Sequence, residues 1–115
     1  MGDAVPTGLI DSYRDALASI PPVEEERSGD HLRVVRAFRG MYLDQAVQYL
    51  ESLGGERVDE HTVEGDGWRA TLSQSVAAVG RSYRLTQVTV EWEGEAAKLE
   101  PVVLRFRVKA FRAPG

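Results

Sequence analysis

The sequence contains no cysteine. A chain without cysteine forms no disulfide, binds no metal through thiolates and has no cysteine nucleophile. It also has no apolar run near the roughly 20 residues that a membrane helix needs. The first residues lack the basic region and apolar stretch of a secretory signal. These absences predict a cytoplasmic protein that does not enter a membrane.

Side chains that could bind a metal ion or catalyse a reaction are also scarce. His31 and His61 are the only two histidines, and a metal site needs several ligands that converge. Asp59 and Glu60 precede His61, but neighbours on a strand point to opposite faces. No serine lies in a Gly-x-Ser-x-Gly turn, and the turn at 65–67 is too short for a phosphate loop. We therefore expect no catalytic residues, no metal and no cofactor.

The charge is negative overall and unevenly spread. The chain has 14 basic and 18 acidic residues and a net charge of -4, which disfavours a general nucleic-acid binder. Acidic residues are frequent in residues 1–30, whereas none follows Glu100. Either the two ends lie close together and offset each other, or the basic end is a patch for an anionic partner. The basic residues after Glu100 are Arg105, Arg107, Lys109 and Arg112.

Two regions are predicted along the chain. Residues 1–30 are interpreted as an N-terminal helix that ends at Pro21-Pro22, followed by an acidic, exposed linker from Val23 to Asp30. Residues 31–115 are interpreted as one domain, long enough for a single core. The helical face of the N-terminal segment consists of Leu9, Ile10, Tyr13, Ala16, Leu17 and Ile20.

The pattern from His31 onward predicts an α+β fold. We expect a curved antiparallel sheet of about four strands with helices on one face, in addition to the N-terminal helix. A helix is predicted between Gly40 and Gly54-Gly55. The predicted strands are His31–Arg39, a short edge strand at Arg57–Val63, a strand from Trp68 that continues or restarts at Val76–Val79, and Tyr83–Glu93 with a bulge near Thr86-Gln87.

The last segment fits two periodicities. Leu99, Val102 and Phe106 belong to a helical stripe, while Leu104, Phe106 and Val108 alternate with basic residues as in a strand. An open sheet needs apolar cover on one face, and a single helix covers little of four strands. This requirement favours a helix.

Two sets of residues are candidates for binding. Arg36 lies on the apolar face of the first strand of the domain, where it needs a carboxylate or a bound anion, unless it marks a strand end with its head in water. On the last helix, Leu104, Val108 and Phe111 share a second side, next to Arg105. We interpret this side as the contact surface for a protein partner or a homodimer. The alternatives are that the segment is a strand, or that the N-terminal helix covers it.

Several motifs in combination resemble those of a known family. The run Arg36–Gly40, the helix ending at Gly54-Gly55 and the turn Gly65-Asp66-Gly67 before Trp68 resemble a small archaeal domain. That domain is related to the C-terminal part of proteins linked to the molybdopterin-synthase small subunit. The resemblance covers about residues 31–113. It implies a fold similar to half of a TATA-box-binding protein, with the last segment helical.

The resemblance transfers no catalytic residue, and the chain ends in Ala113-Pro114-Gly115, not in the Gly-Gly tail of a sulfur carrier. The sequence thus favours a non-catalytic binding or accessory domain in molybdenum-cofactor or sulfur-transfer pathways. One alternative is nucleic-acid binding through the open sheet face, and a second is an enzyme for a small ligand. The nucleic-acid alternative would use Arg33, Arg39, Arg69 and Arg84.

Overall fold

A computed structural model describes residues 23–79 and 83–112. The described chain is an α+β fold with a six-stranded antiparallel sheet and two helices. The predicted N-terminal helix lies outside these residues. The elements are β1 (Val23–Ser28), β2 (His31–Arg39), α1 (Leu43–Ser52), β3 (Glu56–Asp59), β4 (Thr62–Gly65), β5 (Trp68–Val79), β6 (Tyr83–Glu95) and α2 (Ala96–Arg112).

The sheet has the strand order β1-β2-β6-β5-β4-β3, so β6 and β5 are its central hairpin. Their alternate side chains face the helices, and Val88, Val90 and Trp92 are fully buried, as the alternation predicts. The predicted bulge near Thr86-Gln87 is wrong. β6 pairs with β2 and β5 in unbroken register through this region, so Leu85 keeps its place on the face away from the helices.

The sheet has more strands than the predicted four, and β1 is the first reason. Val23–Ser28 was interpreted as part of a linker, but it pairs with β2 along its whole length. All six of its residues are exposed, as expected for this segment. A charged edge strand of this kind shows no apolar alternation because its face is not buried, and its charges discourage pairing with other sheets.

The second reason is a short hairpin. Arg57–Val63 was predicted as one edge strand, whereas β3 and β4 are two strands joined by the turn at Glu60 and His61. The Asp59 carboxylate accepts a hydrogen bond of 2.8 Å from the backbone N–H of His61. This bond stabilises the ionised form and lowers the pKa of Asp59. A turn closed by an aspartate therefore divides the segment in two.

Both helices pack on the same face of the sheet. α2 lies mainly over β6 and β2, and α1 lies over β3, β4 and β5 and contacts α2. The helical interpretation of the last segment is thus confirmed. Between the layers, Phe106 of α2 makes edge-to-face contacts with three other rings, those of Phe38, Tyr49 and Trp92. Phe38 of β2 also packs against this core.

The described residues contain no helix that is both long and apolar enough to cross a lipid bilayer.

Candidate protein-contact surface

Helix α2 has one buried side and one apolar side that faces solvent. Leu99 and Phe106 are fully buried against the sheet. On the opposite side, Leu104, Val108 and Phe111 are 57%, 44% and 91% exposed. Their spacing of four and three residues places them in one row along the helix. We call these three residues the α2 stripe. The structure therefore exposes all three apolar residues that the sequence singled out.

Basic residues lie on both flanks of the α2 stripe. Arg105 is exposed on the flank towards α1, the same flank on which the Lys109 ammonium lies 6.0 Å from the ring centre of Tyr49. Arg107 is exposed on the flank towards β1. An apolar row between two basic flanks favours a partner that combines apolar side chains with negative charge.

Arg36 belongs to the β1 flank. It lies on the helix-facing side of β2 and is half-buried. Burial, followed by the nearby positive charge of Arg107, lowers the pKa of Arg36, while Glu25 acts in the opposite direction. Among the described residues, no carboxylate lies within ion-pair distance of the Arg36 guanidinium. The structure thus brings Arg36 close to α2, while Arg105 lies on the opposite flank of the stripe.

One side of α2 faces β1. An ion pair of 2.9 Å joins Arg27 of β1 to Glu100 of α2. At the other end of β1, Val23 pairs in register with Arg36, and Arg36 is close enough to Arg107 of α2 for their charges to interact. We call this side the α2–β1 edge. Its residues are Glu100 and Arg107 on α2, Arg36 on β2, and Val23, Glu25 and Arg27 on β1.

The sequence did not reveal the α2–β1 edge, because Val23–Ser28 was interpreted as part of a linker. A signal was present in Ser28-Gly29-Asp30. Gly29 has a φ of +58°, and Gly-Asp between two extended runs is a two-residue hairpin signature. That signature would have placed Val23–Ser28 antiparallel to β2.

The opposite face of the sheet carries paired charges. The Arg33 side chain donates to Glu91 at 2.9 Å and to Glu26 at 2.9 Å, and these contacts raise the pKa of Arg33. Arg69 pairs with Glu64 at 2.9 Å. Two of the four arginines of the nucleic-acid alternative are therefore already engaged by carboxylates.

The other two arginines add little free positive charge to that face. Arg39 donates to the Gln87 side chain at 3.3 Å. Arg84 pairs with Ala78, which places it on the helix-facing side of the hairpin. Of the described aromatic residues, Tyr83 alone shares the open face, near the tip of the β5–β6 hairpin. Base stacking on a sheet needs several exposed rings and free positive charge.

We therefore expect no binding of single-stranded DNA or RNA by the open sheet face. The measurement is fluorescence anisotropy of a labelled 20-mer at low ionic strength, where phosphate contacts are strongest. Saturable binding that weakens with added salt, and that is lost in Arg33→Met and Arg69→Met, would contradict this expectation.

Among the described residues, no three carboxylate or histidine side chains converge as they would around a metal ion. His31 instead lies 3.2 Å from the carboxylate of Glu93, and both side chains are about half exposed. Among the described residues, the α2 stripe with the α2–β1 edge is the best-supported surface for contact.

The chain is similar to a known protein family. A family model described as archaeal MoaD-like protein matches residues 34–115, which is more than half of the chain. No curated protein matches the sequence significantly. The matched region begins within β2 and includes α2, so it contains the α2 stripe and Arg36 but leaves β1 outside.

Proposed function

This chain belongs to the archaeal MoaD-like protein family, and we propose that it is a non-catalytic accessory domain that acts through protein contacts. We infer a role linked to molybdenum-cofactor or sulfur-transfer pathways, in the cytoplasm. The family supports the pathway, and the α2 stripe supports the mode of action. The antiparallel sheet with helices on one face also supports a relationship to half of a TATA-box-binding protein.

The exposure of the α2 stripe is the observation that carries this proposal. Phe111 is 91% exposed on a helix whose opposite side is fully buried. Burying an aromatic or aliphatic side chain of this size contributes about 1.5–3 kcal/mol. Three such side chains in a row fit the apolar centre of an interface, where a few residues carry most of the binding energy.

The basic flanks add selectivity. Arg105 and Arg107 stand on either side of the stripe, where exposed charges mainly raise the rate of association and reject partners of like charge. Arg36 lies near Arg107, and no carboxylate of the described residues is within ion-pair distance of it. An acidic group on the partner would therefore stabilise the charge of Arg36. The preferred partner is thus an acidic protein surface with an apolar centre.

Photo-crosslinking in cells of the source organism tests this proposal. A photoreactive phenylalanine analogue replaces Phe111 in one variant and Val58 in another. Val58 is a matched control, because it is also exposed and apolar but lies on β3 at the far edge of the sheet. We expect the Phe111 probe to form adducts with a protein of molybdenum-cofactor or sulfur-transfer chemistry, at a yield at least about 10-fold above the Val58 probe.

Two results would count against the proposal. Equal adduct yields from the two probes would show that α2 contacts other proteins no more than an exposed strand at the sheet edge does. Adducts with a second copy of the chain alone would replace the accessory role with a homodimer, and sedimentation of the purified protein would then show a dimer at micromolar concentration.

A further inference from the structure

One segment of β5 has an unpaired edge. β4 pairs with β5 only as far as Thr71, and the last backbone bond on that side, 2.7 Å long, runs from the N–H of Leu72 to the carbonyl of His61. β5 continues to Val79. Within the described part of the chain, no strand pairs with residues 73–79 on the side away from β6. We call residues 73–79 the free β5 edge.

The backbone of the free β5 edge presents hydrogen-bonding groups to its surroundings. In an antiparallel strand, the N–H and C=O groups of alternate residues point to the same side. Leu72 bonds towards β4, so the N–H and C=O groups of Gln74, Val76 and Ala78 also point to that side. These groups have no backbone partner there among the described residues. An added antiparallel strand would supply the missing partners.

The free β5 edge differs in charge from the two outer strands of the sheet. β1 carries three glutamates and an arginine among its six residues, and β3 carries Glu56, Arg57 and Asp59 among its four. Charges on an edge strand discourage pairing with another sheet. Residues 72–79 contain no charged side chain, so the free β5 edge lacks the protection that the outer strands have.

The segment is complementary to a second copy of itself. Antiparallel pairing about a two-fold axis at Val76 sets Val76 opposite its own copy and Gln74 opposite Ala78. Each such pair exchanges two backbone hydrogen bonds, which makes about six in all. No like charges meet in this arrangement, whereas the same pairing of β1 would set Glu25 opposite its own copy.

Apolar side chains lie beside this axis. Val76 and Tyr42 are both large apolar residues that are exposed. Val76 shares the helix-facing side of β5 with Gln74, whose side chain accepts a 2.8 Å hydrogen bond from the N–H of Leu43, the residue after Tyr42. The two-fold axis is perpendicular to the shared sheet, so both helix layers lie on the same side of it. Val76 and Tyr42 of the two copies then form one apolar row across the axis.

We propose that two copies of this chain pair antiparallel through the free β5 edge, with the two-fold axis at Val76, so that their sheets become continuous. The contact is small for a permanent dimer, so it is reversible and depends on protein concentration. α2 packs mainly over β6 and β2, away from this edge, and takes no part in the contact. The proposal therefore goes beyond the function proposed for the α2 stripe and does not depend on it.

Sedimentation equilibrium of the full chain tests this pairing. The chain has a mass of 12.7 kDa, and we expect the average mass to approach twice that value between about 5 and 500 µM. Val76→Glu and Val76→Lys should each stay monomeric, because like charges would then face each other at the axis. Val76 is 65% exposed, so neither change disturbs the core. A wild-type chain that stays monomeric at the highest concentration would overturn the proposal.

An equimolar mixture of the two variants tests the position of the axis. In a mixed pair, the introduced carboxylate and the introduced ammonium face each other, and opposite charges in directly opposed positions stabilise strand pairing. We expect the mixture to form a dimer at about the same concentration as the wild type. A mixture that stays monomeric while the wild type dimerises would overturn the proposal.

Two control variants separate the free β5 edge from other surfaces. Val58→Glu makes the same change at an exposed valine of β3, and Phe111→Glu introduces the same charge on the α2 stripe. Both should dimerise as the wild type does. Loss of the dimer in either control would overturn the proposal, and in Phe111→Glu it would place the contact on α2. The photo-crosslinking result for α2 does not depend on the Val76 variants, so the two proposals can fail separately.

Discussion

Replacing Phe106 with alanine is expected to lower the free energy of unfolding by about 3–5 kcal/mol, the usual cost of emptying a buried aromatic site. Phe106 is fully buried and contacts the rings of Phe38, Tyr49 and Trp92. It joins α2 to both α1 and the sheet. Because a small domain has about 5–15 kcal/mol of stability in total, Phe106→Ala should unfold at much lower urea concentration.

Phe111→Ala is the matched control for that result. It makes the same chemical change on the same helix, but Phe111 is 91% exposed. The cost should stay within about 0.5 kcal/mol, as for most surface substitutions. Equal losses in the two variants, measured by urea unfolding followed by circular dichroism, would show that α2 does not pack as described.

Gly94→Ala is expected to destabilise the fold by about 3 kcal/mol, because the added methyl group meets backbone that has no room to move. Gly94 pairs with Trp68 across the β5–β6 hairpin. A Cβ at Gly94 would contact the carbonyl oxygen of Gly67 and lie 2.7 Å from the Cα of Trp68. The close approach holds the first residues of β5 against the end of β6, just before α2 begins.

Gly29→Ala provides the comparison for Gly94→Ala. Gly29 has open space around its Cα, and its φ of +58° is the only strain that alanine would meet, at about 1 kcal/mol. The measurement is the free energy of unfolding from urea titration of both variants. If Gly94→Ala were as stable as Gly29→Ala, the tight contact between Gly94 and the hairpin turn would be absent in solution.

Local periodicity predicted the elements that have a buried side. The helix after Gly40 and the strand through Val88, Val90 and Trp92 could be read from the sequence because each hides one face in the core. For α2, the two periodicities were resolved by the need to cover the sheet. The helix was predicted correctly because covering the sheet is a requirement of the whole fold.

The wrong expectations concern segments without a buried side. Val23–Ser28 is an edge strand in which both faces are exposed, so its composition resembles that of a linker. A bulge near Thr86-Gln87, as predicted, would turn Leu85 towards the helices. The β5–β6 hairpin extends beyond its neighbours, since β2 pairs with β6 only as far as Gln87, and Leu85 has no core to join.

The candidate surface was predictable in part. The row of Leu104, Val108 and Phe111 follows from helical spacing alone. The α2–β1 edge beside it does not, because it depends on β1 pairing with β2 and on the ion pair between Arg27 and Glu100. Those residues are far apart in the sequence, and only the tertiary structure brings them together.

We propose that the exposed side of α2 serves contact and not stability. The test is the affinity of Phe111→Ala for the protein captured by the Phe111 photoprobe, measured by calorimetry alongside the free energy of unfolding of the same variant. We predict a Kd raised at least about 10-fold, equivalent to about 1.4 kcal/mol, with stability unchanged within about 0.5 kcal/mol. An unchanged Kd, or a loss of binding explained by a loss of stability, would contradict the claim.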